Sequence, residues 1–350
     1  MPDRTNERKK RVTIVDVAKA AGVALSSASA ALNNRPGVSN ETRKRIAAKA
    51  EELGYAPSLR GRSLSSKRTF SVGLVIQRDI DVLESDPFFG SFITGIEEVI
   101  SHRDYALVLQ ISKNEEETLE RYRKLSLDGR VDGVFLNELR INDERAELIK
   151  ELDLPAVAIN SADSLKLPNV RQDASVPFRQ LTELLIEQGH TRIGHVSGPR
   201  EFLHSFVREH AWEETLKQHC LPIGPIFTGD FTYEGGKKAA FALMRDKNRP
   251  TAVVCSNDLM AVGFIQGCKD LGMRVPQDVS VTGYDGIALS TYIRPTLVTA
   301  KTNPRHLARE AAEMLMQIVD GGQPQNRTIP PATIVYGNSV GKAPRAENNF

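Results

Sequence analysis

Six polar residues of this 350-residue chain follow short apolar runs: Gln77 after SVGLVI, Asn137 after VDGVFL, Asn160 after PAVAI, Asn257 and Asp258 after TAVVCS, and Asp285 after VSVTGY. Amides and carboxylates at strand ends supply donors and acceptors for a polar ligand, because open α/β folds bind ligands beyond the carboxyl ends of their strands. Taken singly, each of the six reads more readily as a turn residue or a helix N-cap, which Asn and Asp provide in any fold. Reaction chemistry has less behind it. The sequence holds no GxSxG elbow, no GxxxxGK[ST] phosphate loop, no GxGxxG turn and no HExxH helix. His102, His190, His195, His204, His210, His219 and His306 are scattered without metal-ligand spacing and read as surface or helix-end residues, with His204 a minor candidate for a cleft. Binding without catalysis, cofactor or metal is the expectation.

The elements that must hold these residues are legible as an alternation. SVGLVI, a helix through Phe92 and Ile96, ALVLQI, a helical stretch over 115–127, VDGVFL and PAVAI form one series. RIGHVSG, a helix over 208–219, TAVVCSND, a helix over 259–272 and VSVTGYD form a second. Alternating strands and helices imply a parallel sheet covered on both faces, and two such lobes in series leave a cleft between them.

Length and charge add a further part. A chain of 350 residues exceeds the ~250–300 at which single cores stop growing, so more than one domain is expected. Hydrophobic residues make up 40% and charged residues 26%, a soluble globular profile. The net charge of +2 is unevenly distributed: residues 1–67 carry 14 Lys or Arg against 6 Asp or Glu, and residues 68–350 carry 32 against 38. A basic head gains affinity for a polyanion by releasing counterions, so the head is the candidate nucleic-acid module. The polar start of the chain is not followed by an apolar h-region, and no stretch is long enough to span a bilayer, so a cytoplasmic protein without a membrane partner is expected. Cys220, Cys255 and Cys268 lack CxxC spacing and read as small buried hydrophobes.

Within the head, Ile14, Val17, Ala18, Ala21, Val23, Ala28 and Leu32 recur at helical steps interrupted at Gly22. Thr13 with Asp16 marks the first N-terminus, Gly22 suits a tight αα turn, and Ser39 and Gly54 bracket a third helix with Ile46, Ala47, Ala50 and Leu53 on its apolar face. This is helix-turn-helix spacing. The strings VTIVDVAKAAGV, SSASAALNN and VSNETRKRIAAKAEELGYAP, over residues 12–57, resemble the head of the lactose-repressor and galactose-repressor family almost position by position.

That resemblance implies a bacterial DNA-binding repressor whose second helix lies in the major groove, with Leu25, Ser26 and Ala30 toward the bases and Thr13, Ser27, Ser29, Asn33 and Ser39 on phosphates. Two positions depart from the family: Ala30 stands where relatives commonly carry Arg, and Ala24 where they carry a capping Ser. Losing the Arg removes a bidentate donor to guanine worth roughly 1–3 kcal/mol of discrimination. PSLRGRSLSS, over 57–66, is read from composition as a flexible linker. The resemblance makes it a hinge that folds on the operator, with Leu64 wedged into the minor groove and Arg60, Arg62 and Lys67 near phosphates. Gly61, in place of the usual Ala, costs about 1 kcal/mol of helix propensity.

The body resembles the periplasmic-binding-protein-like sensor of the same family through DPFFGSFITGIE, GHTRIGHVSGP, GDFTYEGG, RPTAVVCSNDLMAVG and VPQDVSVTGYDGI. By position, Arg208 and Asp285 are implied effector contacts, Arg208 as donor and Asp285 as acceptor for a polyhydroxyl pattern. Phe88, Phe89 and Phe231 are implied walls, and Gln77, Asn137, Asn160 and Asn257 further polar contacts. Asn160 stands where several sugar-binding relatives carry Asp.

The expected architecture is α plus α/β: a three-helix helix-turn-helix head over 1–56, a hinge over 57–68, a two-lobe periplasmic-binding-protein-like α/β sensor domain over 69–341, and a polar tail over 342–350. The lobes are expected at about 69–168 with 301–328, and 169–300 with 329–341. The expected function is allosteric repression by a homodimer on a palindromic double-stranded operator, with a sugar or sugar derivative as effector. A purine-type corepressor remains the alternative. A sugar-transport protein is set aside by the basic head and the missing signal segment, and the tail lacks the leucine heptad of a tetramer.

Overall fold

A computed structural model describes residues 12–33, 35–55, 63, 66, 68–78, 83, 84, 86–162, 165–246 and 248–344. The chain divides into two units, Met1–Phe70 and Ser71–Phe350.

In the first unit, local chemistry sets each helix end. The Asp16 carboxylate accepts from the Thr13 N–H at 2.9 Å and from its hydroxyl at 2.7 Å, opening α1 (Ile14–Ala20). Gly22, at φ +62°, makes the turn into α2 (Leu25–Leu32), and α2 is bent by 106° relative to α1, within the helix-turn-helix range of about 90–120°. Ala24 leaves α2 without a side-chain cap. The Ser39 hydroxyl accepts from Thr42 N–H to open α3 (Asn40–Glu52), and Arg43 ties α3 to α2 through the Ala31 carbonyl (2.9 Å) and to the segment after α2 through the Arg35 carbonyl (2.7 Å). Val17, Ala18, Ala21, Ala28, Ala31, Ile46 and Ala50 form the core, so Ile46 is its one large, fully buried side chain among the described residues.

Among the described residues the second unit holds twelve strands: β1 (Ser71–Gln77), β2 (Ala106–Ser112), β3 (Gly133–Leu136), β4 (Ala156–Ile159), β5 (Asn169–Gln172), β6 (Ile193–Ser197), β7 (Ile226–Thr228), β8 (Ala252–Cys255), β9 (Ser280–Asp285), β10 (Val298–Lys301), β11 (Arg327–Ile329) and β12 (Thr333–Val335). Its helices are α4 (Pro87–Ile100), α5 (Glu115–Leu127), α6 (Arg145–Glu151), α7 (Ser175–Glu187), α8 (Leu203–Gln218), α9 (Tyr233–Met244), α10 (Asp258–Asp270), α11 (Leu289–Tyr292) and α12 (Pro304–Val319). One sheet runs β11-β5-β4-β3-β1-β2 and the other β12-β10-β9-β8-β6-β7, parallel except where β12 joins β10. In each, the first strand lies between the second and third, the doubly wound 2-1-3-4-5 order. α4 and α12 cover the first sheet, and α9 packs closely on α10 in the second lobe.

Three expectations need correction. β5 pairs with β4 and β11, so the first lobe extends through Gln172 instead of ending at 168. His190 and His195 are core residues rather than surface ones. His195 bonds the Val254 carbonyl through Nδ1 at 2.8 Å and stacks on Trp212, while His190 bonds Thr251 and Ser280. Cys255 and Cys268 are buried as expected, but Cys220 is exposed. Among the described residues no single helix is long and apolar enough to cross a membrane.

Candidate functional site

In a doubly wound sheet the crevice opens where strand order reverses, here beyond β1 and β3 in one lobe and β6 and β8 in the other. The cleft of the second unit lies there. Phe88, Phe89, Asn137, Asn160, Arg208, Phe231, Asn257 and Asp285 all line its first chamber. Gln77 does not. Its Oε1 accepts from Thr118 on α5, and the next residue, Arg78, enters the cleft. Along one side the lobes are joined by backbone bonds from Leu203 N–H to Leu139 O (2.8 Å) and Ile141 N–H to Glu201 O (3.1 Å).

Arg208 projects from α8. Its Nη1 donates to the Ser256 carbonyl at 2.8 Å, its guanidinium lies 4.2 Å from the Tyr284 ring centroid, and its buried Nε has no partner among the described residues. Asp285 ends β9 at φ +114°, held by Thr302, whose N–H donates to its carbonyl at 3.1 Å. Burial pushes its carboxyl well above the ordinary carboxylate range, against the pull of Arg208. The two make no ion pair with each other, so both retain capacity for a ligand. Asn137, 3% exposed, has neither amide atom bonded among the described residues. Asn160, at φ +54°, accepts from the Gln172 N–H through Oδ1 at 2.7 Å.

Asn257 lines the chamber but is already committed. Its Oδ1 caps α10 at the Met260 N–H (3.0 Å) and its Nδ2 donates to the Phe231 carbonyl (2.9 Å), so it positions Phe231 rather than offering a bidentate amide. Phe231 is buried. The His204 ring lies between Phe231 and Phe202, at centroid distances of 5.3 and 5.4 Å, and burial with Arg208 and Arg78 nearby holds its imidazole well below its usual range.

Sequence reading missed three charged groups. Arg78 pairs with Glu138 through both carboxylate oxygens and places its guanidinium 4.7 and 4.9 Å from the rings of Phe202 and Phe231. Glu138, at φ +46°, is held through its carbonyl by Arg145. Asp86 caps α4 at the Phe88 N–H (2.9 Å), and burial raises its carboxyl. Arg78 and Glu138 each follow a strand-end residue singled out by the sequence, and Asp86 opens an Asp-Pro helix start, which was the available signal. A second chamber shares Phe88, Asn160, Leu203, His204, Arg208 and Asp285 with the first and is also lined by Ser161, Arg171, Gln172, Asp173, Val207, Tyr284, Thr302 and Leu307.

On the first unit, Leu25 is 49% exposed at the start of α2, and Ser26 beside it is exposed, while Ser27, Ser29 and Ala30 are half-buried. Thr13, Asn33 and Ser39 spend side-chain bonds on helix ends: Asn33 Nδ2 donates to the Ser29 carbonyl at 2.9 Å, and the Ser39 hydroxyl to Thr42 Oγ1 at 2.9 Å. Arg60, Arg62, Leu64, Gly61 and Lys67 lie outside the described residues.

Residues 13–58 match the profile of bacterial regulatory proteins, lacI family, and residues 182–340 match a periplasmic binding protein-like domain. The HTH-type transcriptional repressor PurR of Aliivibrio salmonicida is 32% identical over 87% of this chain and 91% of its own length. Catabolite control protein A of Priestia megaterium is 33% identical over 82% and 86%, and the transcriptional repressor CytR of Escherichia coli 31% over 91% and 93%. Among solved structures, the transcriptional regulator CelR–cellobiose complex is similar at TM-score 0.71 and 28% identity, covering 94% of this chain and 100% of that one. The lac repressor dimer bound to operator and the anti-inducer ONPF shares the fold at TM-score 0.82 and 23% identity, covering 94% and 99%.

Proposed function

The chain belongs to the lacI family of bacterial regulatory proteins and is a DNA-binding transcriptional regulator, and on that premise we propose that it is a cytoplasmic homodimer repressing from a palindromic operator under control of a sugar or sugar derivative held in the cleft. One observation carries the effector reading. Asn137 is 3% exposed with both amide atoms unbonded, in a cleft where Arg208 Nε is also unbonded. A buried polar atom without a partner costs about 1–3 kcal/mol, a cost that a ligand with paired donors and acceptors removes. Sugar hydroxyls supply both at once, and Phe88 and Phe231 offer apolar surface to a ring face. These groups serve binding rather than turnover, in keeping with regulators as relatives.

A purine-type corepressor is the second reading, favoured by the ring stack of Phe202, His204 and Phe231. Calorimetric titration of the full chain with sugars and with nucleobases, run beside operator binding, separates the two. Heat with a sugar and none with nucleobases supports the first reading, and the reverse moves the site to the second. In either case Arg208→Ala should weaken effector binding about tenfold or more, losing ~1.5–3 kcal/mol of charge-assisted bonding, and Asp285→Ala should weaken it about two- to tenfold, losing the ~0.5–1.5 kcal/mol of an ordinary hydrogen bond, while effector-free operator affinity persists. Unchanged effector affinity in both variants removes the two residues from the site.

A further inference from the structure

The chain passes between the lobes of the second unit after β5, after β10 and between β11 and β12. These crossings lie at the β11-β5 end of one sheet and the β12-β10 end of the other, which makes that side of the cleft its pivot. The bonds from Leu203 to Leu139 and from Ile141 to Glu201 lie away from the pivot, among residues that follow β3 and β6 in the other half of each sheet. At that joint charge from one lobe meets rings from the other. The Arg78 guanidinium lies 4.7 Å from the Phe202 ring centroid and 4.9 Å from that of Phe231, and the Arg140 guanidinium lies 5.8 Å from Phe202, all inside the ~6 Å reach of a cation–π contact. Each arginine is anchored within its own lobe: Arg78 Nε donates to Glu138 Oε1 at 2.9 Å, and Arg140 Nη1 to Glu115 Oε2 at 3.0 Å. The Arg78 side chain is 10% exposed and that of Glu138 14%, and both rings are buried, so water competes little for the contact and desolvation strengthens it.

We propose that Arg78, braced by Glu138, is an interlobe clasp that closes on Phe202 and Phe231 opposite the pivot and holds the cleft shut without help from an effector. An effector shifts operator binding only through its differential affinity for the two lobe arrangements, and the clasp biases the chain toward the closed one beforehand. It is made of protein groups alone, so it stands or falls independently of which effector the cleft holds.

Opening breaks the two backbone bonds of the joint, so hydrogen–deuterium exchange of the Ile141 and Leu203 amides in the effector-free full chain reads how often the lobes part. Mass spectrometry of peptides spanning the joint compares the wild type with Arg78→Met, which removes the charge and keeps the stem, with Phe202→Leu, which removes the ring from the opposite lobe, and with the double variant. Exchange at the joint should rise about three- to thirtyfold in each single variant, the fold-change of losing cation–π contact, while peptides from β4 and β8 keep the wild-type rate. In the double variant the rise should be smaller than the product of the single factors, because both substitutions delete the same contact. Phe202→Leu still tests that contact if Arg78→Met disturbs its own lobe. Unchanged exchange at the joint, a double variant equal to the product, or exchange rising equally in β4 and β8 would each overturn the clasp.

Discussion

Asp258 is 1% exposed, accepts from the Thr299 hydroxyl at 2.5 Å and from the Ile287 N–H at 2.9 Å, and burial pushes its carboxyl up to about 7. A carboxyl raised by folding stabilises fully below its unfolded value near 3.8 and loses that contribution as pH rises to about 7. Burial acts oppositely on His195, pushed down to about 4, whose neutral form loses its contribution as pH falls from about 6.5 toward 4. The two trends oppose each other in one window, so the intact chain hides both and a substitution exposes one. In urea unfolding, the advantage of the wild type over Asp258→Asn should be larger at pH 5 than at pH 8, by up to about 3 kcal/mol at 1.36 kcal/mol per unit. A gap independent of pH would mean that this carboxyl is ionised throughout. At this scale the sequence was nearly sufficient for position and less so for role. Eight of the nine expected cleft residues line it, and the exception, Gln77, fails by one position because successive strand residues face opposite ways, which puts Arg78 in its place. Asn257 lies where expected, yet the Asn-Asp pair before an apolar helix was a cap first, and its amide is spent there.

Helices of the first unit have legible ends because each is set by residues next to it: Asp16 on Thr13, Ser39 on Thr42, and glycines at positive φ beyond α1 and α3. Strands of the second unit are legible only where an apolar run marks them. β5, NVRQ, has no such run and owes its place to pairing with β4 and β11, which is why the lobe boundary was set too early. The same contrast predicts unequal robustness. The head core is alanine-rich around Ile46, so Ile46→Ala should cost about 2–5 kcal/mol, most of what so small a unit possesses. Operator binding by the full chain should then fail near 37 °C while effector heats persist, since the clusters around Phe264 and Trp212 belong to the other unit. In the opposite direction, Ala24→Ser supplies the cap that α2 lacks and should raise the head's unfolding transition in calorimetry, by about 0.5–2 kcal/mol of stability. Wild-type operator affinity in Ile46→Ala at 37 °C would show that packing outside this cluster carries the head.

Charge is partitioned across the whole chain, 14 basic against 6 acidic residues in 1–67 and 32 against 38 beyond, so the forces that bind operator and effector respond to different variables. Neutralising Z phosphates makes log affinity fall with log salt at a slope near −0.9Z, whereas contacts inside a cleft, made by half-buried groups such as Arg208 and Asp285, are less screened. Operator affinity should therefore fall steeply between about 50 and 200 mM salt while effector affinity changes far less. Coupling between the two is bounded by linkage: whatever factor the effector applies to operator affinity, the operator must apply to effector affinity, with the same sign. Salt then reports how that coupling works. On the hinge reading, Arg60, Arg62 and Lys67 reach phosphates only when the segment folds on the operator, so the effector state that weakens binding also withdraws these cations from the DNA backbone. The salt slope should become shallower in that state by about 0.9 for each phosphate released. Operator titrations across a series of salt concentrations, with and without saturating effector, measure this directly. Two parallel lines offset in affinity would mean that the effector acts without releasing any phosphate, and the segment around Leu64 would then be a tether rather than a folding hinge.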